Sequence, residues 1–386
     1  MRHIYLDNSA TTRICEAALD KYVEISRASF GNPSSLHGLG HDAEKLIRAS
    51  REQILSTLGA KDSTLVFTAS GSEANNLAII GRALAKTRYA GKKIITTDGE
   101  HASVNEPLDY LCSLGFKVAR IPTRGGAIDM DALRRELTPD VILITMMMVN
   151  NETGALYDTS AVAKLARQLS PEALVHVDAT QSYMKIPFTK ASSGADMITL
   201  SSHKIEGPKG VGALLIDGSV IKSKGLSPLI RGGGQEGGLR SGTENVPGIC
   251  AFAEAARLGH TTLRQRYAHL LSLRTYLMEK LAQLPEISVT VPVSFAPHIV
   301  NITLPKIKSE TMLHYLSSFG IYVSSGSACS SNSGHVSSAL VAFGRSVEEA
   351  DYSIRISLGA SNTKEDIDAL SAALGEGMDK LARAKR

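Results

Sequence analysis

From about Ser63 to Ile216, short β-rich apolar runs alternate with amphipathic stretches. The runs fall at residues 64–68, 93–97, 116–121, 141–149, 174–177, 197–200 and 211–216. Between several of them apolar residues recur at helical spacing, as at 73–85 and 158–169. Strands alternating with helices predict an α/β fold with a mostly parallel sheet. Beyond Ile216 the pattern changes. A long helical pattern over 246–284 is expected to bend or break. Strand-like segments follow at 288–291, 298–304, 321–324 and 353–357, with helices near 309–319 and 364–382. This stretch predicts a smaller α+β unit. The pattern leaves open whether the extreme N-terminal segment packs on it.

A chain of 386 residues exceeds what one hydrophobic core normally covers, which favours two domains. The net charge of +4, from 42 basic and 38 acidic residues, is too balanced to point to nucleic acid. The basic end at 383–386 reads as a solvated helix terminus. The longest apolar run, 141–149, is far short of the roughly 20 residues that span a bilayer. No apolar stretch follows the early charges of residues 1–7, so no signal peptide is read there and a cytoplasmic protein is expected. Four scattered cysteines, Cys15, Cys112, Cys250 and Cys329, form no CxxC pair, and neither a disulfide framework nor a metal site is expected.

In open α/β sheets ligands bind beyond the carboxyl ends of the strands, so the residues that follow each run carry the chemistry. A Ser-Gly-Ser turn at 70–72 opens a helix. Its backbone N–H groups, with Gly71 and Ser72, suit a phosphate, and Ser201 and Thr243 offer matching hydroxyls. The bland alternative is that Ser72 merely caps the helix. Asp178 ends an apolar run, where a buried carboxylate needs a partner such as a protonated pyridine nitrogen, or else caps a helix. Lys204 closely follows another run, beside His203 and a glycine-rich turn, and is placed to form a Schiff base. Lys209, inside the Gly-Pro turn, is the competing lysine. His101 either stacks on a flat ring and moves protons or packs as an ordinary loop histidine. Gln181 and Asn151 either contact a cofactor or substrate or cap loops.

Two features come from the C-terminal part. Cys329 lies in a small polar loop, 324–334, of a composition that favours movement and exposure. Only a few per cent of an ordinary thiol is thiolate at pH 7, so reactivity there requires help. Arg355 sits inside the apolar strand pattern 353–357, where it needs either a bound carboxylate or a structural ion pair.

Together these residues resemble the group I cysteine desulfurases of NifS/IscS type, within the class V aminotransferase-like enzymes of fold type I. The resemblance spans nearly the whole chain. It rests on Tyr5 to Thr12, Phe30 to Ser35, Val149 to Glu152, His176 to Gln181, Ser202-His203-Lys204, Gly232 to Glu236, Arg240 to Thr243, Ser325 to Cys329 and Ile354-Arg355. It implies a pyridoxal 5'-phosphate enzyme that converts L-cysteine to alanine and leaves a persulfide on Cys329. Lys204 would bind the cofactor and shuttle protons, His101 would stack on its ring, and Asp178 would pair with its ring nitrogen. Asn151 and Gln181 would contact the ring or its oxygen. Gly71, Ser72, Ser201 and His203 would hold the phosphate, with Thr243 reaching across from a second subunit of a homodimer. Asn32 and Arg355 would hold the substrate carboxylate. Residues 15–255 would form the large cofactor domain, and 1–14 with 256–386 the small domain carrying the Cys329 loop.

Ser72 stands where relatives more often have threonine, and it keeps the hydroxyl. With the sequence ending soon after its last helical pattern, the longer tail with which some relatives dock a scaffold is not expected, and the resemblance leaves the sulfur acceptor open: iron–sulfur assembly or thiolation. Neither a membrane nor a nucleic-acid partner is expected. Selenocysteine lyase, an aminotransferase and a non-catalytic sulfur carrier or scaffold are the rival readings. The thiol at Cys329 argues against an aminotransferase.

Overall fold

The computed structural model describes residues 3–86, 91–325 and 337–383. In chain order the first elements are β1 (Ile4–Tyr5), α1 (Glu16–Ala28), α2 (Gly38–Thr57), β2 (Ser63–Thr68), α3 (Gly71–Ala83), β3 (Lys93–Thr97), α4 (Ala102–Ser113) and β4 (Lys117–Ile121). Next come α5 (Met130–Glu136), β5 (Val141–Met147), α6 (Thr159–Leu169), β6 (Leu174–Asp178), α7 (Lys190–Ser193), β7 (Met197–Ser201), β8 (Gly212–Asp217) and α8 (Gly218–Lys222). The rest are α9 (Val246–Leu281), β9 (Ser288–Thr290), β10 (Ile299–Thr303), α10 (Ser309–Ser318), β11 (Ile321–Tyr322), β12 (Ser324–Ser325), α11 (Ser338–Phe343), α12 (Val347–Asp351), β13 (Ser353–Ser357) and α13 (Lys364–Arg383).

The seven apolar runs each form a strand of one sheet, ordered β2-β8-β7-β6-β5-β3-β4. Strand β8 runs antiparallel to both β2 and β7, and the other pairs are parallel. All of β5 is buried, as expected where helices cover both faces of a sheet. One face packs on α3 and α4 through residues such as Val66, Leu77, Ile94 and Leu108. The other face belongs to the largest apolar cluster, which α2, α6 and the first half of α9 complete. A four-stranded sheet, β12-β13-β10-β9, and the parallel pair β1-β11 lie in the second part of the fold.

Three details differ from the sequence pattern. Helix α9 is continuous over 36 residues, with no break. Its proline lies in the first turn, where a missing N–H costs nothing. Further along, Gly259 lets the side chain of Met184 approach, since a Cβ there would meet Met184 Cγ at 2.9 Å. One helix therefore serves two cores: Ile249, Phe252 and Ala256 join the large cluster, and Leu270, Leu273, Leu277 and Leu281 join the core of the small sheet. The run at 321–324 is two strands in two sheets, with β11 against β1 and β12 against β13. Helices α1 and α2, not read from the sequence, pack on α9. The N-terminal segment does join the small sheet's core, through Ile4 and Leu6.

Because the strands around β6 are parallel, the chain segments leaving β3, β5, β6 and β7 emerge on one side of the sheet, and the antiparallel β8 brings its start to the same edge. There Gly212 lies so close to the turn before α3 that a Cβ would meet the Ser70 carbonyl carbon at 2.4 Å. No helix among the described residues is long and apolar enough to cross a membrane.

Candidate active site

The turn after β2 is built as an anion cradle. Ser70, not Ser72, caps α3, and its hydroxyl accepts from the Glu73 N–H at 3.1 Å. Glu73 reaches back to the Ala69 N–H at 2.9 Å and pairs with Arg240 at 2.8 Å. Ser72 is thereby left exposed in the first turn, which removes the capping alternative for its hydroxyl. Gly71 faces Ser201 at the end of β7 and Thr180 after β6; a Cβ on it would meet Ser201 Cβ and Thr180 Oγ1, both at 3.2 Å. Inside this cap, the first turn of α3 flanked by two hydroxyl residues is a place for a phosphate.

Asp178 is buried at the end of β6, and its carboxylate accepts from Asn75 Nδ2 at 2.8 Å and from the Thr180 N–H at 2.9 Å. The backbone contact closes a turn and caps no helix, since the next helix starts only at Lys190, and the carboxylate also faces an interior amide. His101 caps α4, with Nδ1 accepting from the Ser103 N–H at 3.1 Å and lying 2.9 Å from the Ser103 hydroxyl. Burial pulls its imidazole below the ordinary value; Asp178 opposes this, and Lys204 and Arg355 add to it. All three charged groups are therefore close enough to be felt at the ring. A groove of about 420 Å³ lined by Ser72, Asn76, His101, Ser103 and Tyr110 opens beside them.

Lys204 ends a 3-10 turn, Ser202–Lys204, directly after β7. Its amine donates to the carbonyls of Ser9 at 2.6 Å and Ala10 at 2.7 Å. Gln181 Nε2 donates to the same Ser9 carbonyl at 2.9 Å, which joins the two residues through the N-terminal segment. Lys185 donates to Gln181 Oε1 at 2.9 Å and so fixes which way that amide faces. Burial, then Lys204 and Arg355, hold the Lys185 amine well below the ordinary lysine value. His203 contacts Thr11 Oγ1 at 3.1 Å, and burial, reinforced by Lys204, brings its pKa to about 4. Lys209, the rival lysine, is exposed.

Arg355 occupies the middle of β13 between buried Ile354 and Ile356. It donates to the Asn151 carbonyl at 3.0 Å and to Asp7 at 2.9 Å. The ion-pair reading of this arginine is thus realised, yet its buried Nε has no partner among the described residues. Burial raises the Asp7 carboxyl above the ordinary value despite Arg355 beside it.

The structure therefore gathers Gly71, His101, Asn151, Asp178, Gln181, Ser201, His203, Lys204 and Arg355 at one edge of the sheet. Asn32 and Thr243 are exposed, and among the described residues neither has a hydrogen bond to this cluster. Cys329 lies outside the described residues.

Other residues here were not assigned a part from sequence. Asn75 is the main one, an amide among the buried Ala74, Leu77 and Ala78 of α3. A short amide among apolar positions of a helix was the available signal. Glu100, next to His101, is another. It is buried between β3 and β5, accepting from Thr97 Oγ1 at 2.5 Å and from the Met147 N–H at 3.0 Å. Burial raises its pKa from 4.5 to about 8, so it is largely protonated at neutral pH. A carboxyl raised on folding contributes stability that is complete below its unfolded pKa and is lost as pH rises through its folded one. Glu100→Gln, which cannot ionise, removes that loss. The melting temperature of the variant should gain on wild type between pH 6 and pH 9; parallel melting curves across that window would show Glu100 to be uninvolved.

The model of the family described as "Aminotransferase class-V" matches residues 4–370. The chain is 40% identical to a "NifS/IcsS protein homolog" of Lactobacillus delbrueckii subsp. bulgaricus, with 97% of this chain and 96% of that protein covered. It is 37% identical to a "Cysteine desulfurase IscS" of Dictyoglomus turgidum over 98% of this chain and 95% of the relative. Among solved structures, a "NIFS-LIKE PROTEIN" superposes with a TM-score of 0.90 at 34% identity, covering 99% of this chain and all (100%) of that one. With a mostly parallel sheet of the same architecture and relatives matched end to end, this chain belongs to the class V aminotransferase family.

Proposed function

We infer that the protein is a pyridoxal 5'-phosphate-dependent cysteine desulfurase, which converts L-cysteine to L-alanine and carries the sulfur as a persulfide on Cys329. The observation that carries this reading is the convergence of Lys204, Asp178 and His101 near the first turn of α3. The residues present fit the cofactor. The Gly71 cradle with Ser72, Ser201 and His203 would hold its phosphate, Lys204 would hold it by its amine, and Asp178 would face its ring nitrogen. Gln181 and Asn151 would contact the ring or its oxygen. When bound, the cofactor supplies an electron sink for the pair left at the substrate α-carbon.

The chain's own residues do the rest. Arg355, with Asn32, holds the substrate carboxylate. Lys204 takes the α-proton, and the Asp178 carboxylate would accept from the proton on the cofactor's ring nitrogen. His101 assists proton movement. The Cys329 thiolate attacks the substrate sulfur: the new S–S bond forms as the substrate C–S bond breaks. The carbon skeleton keeps that electron pair, is protonated, and leaves as alanine. The persulfide then passes to an acceptor protein, a scaffold for iron–sulfur clusters or a thiolation enzyme. Thr243 would complete the phosphate site of a second copy, which makes the working unit a homodimer. Its exposure in the single chain supports this. A cytoplasmic setting keeps the thiol reduced between turnovers.

The test is a single incubation of the yellow purified protein with L-cysteine. Without reductant, alanine should form once per site and the peptide containing Cys329 should gain one sulfur atom; added thiol should release sulfide and restart turnover. A protein that forms no alanine, or whose added sulfur sits elsewhere, would overturn the assignment.

A further inference from the structure

We propose that Asn75 and Ser103 are positioning residues that fix His101 as the neutral tautomer with its proton on Nε2, through a hydrogen-bonded chain running from Asp178. This deepens the desulfurase reading and rests on it for the placement of His101 beside the cofactor.

Each link is directional. Asp178, an acceptor, can be met by Asn75 only through an N–H, which sets the orientation of the amide. The Asn75 nitrogen lies 2.8 Å from Asp178 Oδ2 and 2.8 Å from Ser103 Oγ, so its two protons are divided between them. Turning the amide over would press its oxygen against the carboxylate. The orientation is held even though Asn75 Oδ1 is buried with no partner among the described residues. Ser103 Oγ, already accepting from Asn75, has its own proton to give, and His101 Nδ1 lies 2.9 Å away. The Ser103 backbone N–H also points at Nδ1, at 3.1 Å. A proton on Nδ1 would meet both donors. Nδ1 is therefore the acceptor, and the neutral ring carries its proton on Nε2.

Burial, which disfavours the imidazolium, acts in the same direction. The ring is thus delivered neutral, with one donor of fixed position. Losing one link of about 1 kcal/mol should slow alanine formation by roughly fivefold.

The tautomer can be read without turnover, by nitrogen-15 NMR of the full-length protein with labelled histidines, with and without pyridoxal phosphate. The His101 signal is identified by its absence in His101→Gln. Wild type should show a protonated Nε2 and a bare Nδ1. Ser103→Ala and Asn75→Leu should each move part of the population to the Nδ1–H form, and Ser103→Thr should keep the wild-type pattern. If Asn75→Leu does not fold, Ser103→Ala against Ser103→Thr decides. A wild-type Nδ1–H ring, or a pattern unchanged in Ser103→Ala, overturns the proposal. A protein with the expected tautomer that forms no alanine from cysteine would sink the desulfurase reading and leave this one standing.

Discussion

Lys204→Ala should lower alanine formation from cysteine by about 10³- to 10⁴-fold, the scale of losing a residue that both holds a cofactor and moves a proton. The geometry explains why no neighbour replaces it. The Lys204 amine comes off the turn directly after β7 and is held between the Ser9 and Ala10 carbonyls. Lys185 lies close enough for Lys204 to be felt at its amine, but it is engaged with Gln181. Lys209 is exposed, so Lys209→Ala should leave the rate within about twofold, as expected for a surface change. Lys204→Arg separates chemistry from charge. Arginine can still donate to the two carbonyls, but it keeps its proton at any working pH. It should be folded and as inactive as the alanine variant. The measurement is alanine released per minute together with the visible spectrum after incubation with pyridoxal phosphate. A Lys204→Ala protein that keeps a tenth of the wild-type rate would move the catalytic amine elsewhere.

The ends of the strands were readable because a parallel sheet sends several loops to one edge. That is why Gly71, His101, Asp178, Ser201 and Lys204 could be picked from their place after apolar runs. The partners that orient them were not readable. Ser9 and Ala10 act through backbone carbonyls, which leave no side-chain signature. Asn75 acts only once α3 lies against β6, and Asp178 is 103 residues further along the chain. The segment Gly232 to Glu236 carried the resemblance without a structural part of its own. In the fold, Glu236 is buried against β2, forked onto Arg51 at 2.7 and 2.9 Å and accepting from the Phe67 N–H at 3.0 Å. Those pairings depend on tertiary placement, as does the unbroken course of α9, whose two halves are buried in two separate cores. Asn32 and Thr243 stand apart, since both are exposed and neither is joined by a described hydrogen bond to the cluster in this chain.

Arg355→Ala tests whether the arginine is chiefly a structural partner or a substrate clamp, because it should fail in two measurable ways. Removing the guanidinium leaves Asp7 in a partly buried site without its cation. Breaking a buried pair costs about 3–5 kcal/mol, and the lower end applies because the Asp7 side chain remains 19% exposed. The melting temperature should fall accordingly. Independently, kcat/KM for cysteine should drop by about 10²- to 10³-fold, the loss of a charge-assisted, two-pronged grip on a carboxylate. Most of that loss should appear in KM, since the carboxylate is held equally before and during the reaction. Asp7→Asn separates the two roles. It removes the ion pair but leaves the fork, freeing an N–H for the substrate, so stability should fall while KM stays level or drops. Arg355→Lys should lie between, keeping a charge but losing the planar fork. The guanidinium carries more donors than its bonds to Asn151 and Asp7 employ, and its buried Nε still lacks a partner. A purely structural arginine would give the reverse pattern: Arg355→Ala and Asp7→Asn equally destabilised, with KM for cysteine unchanged in both.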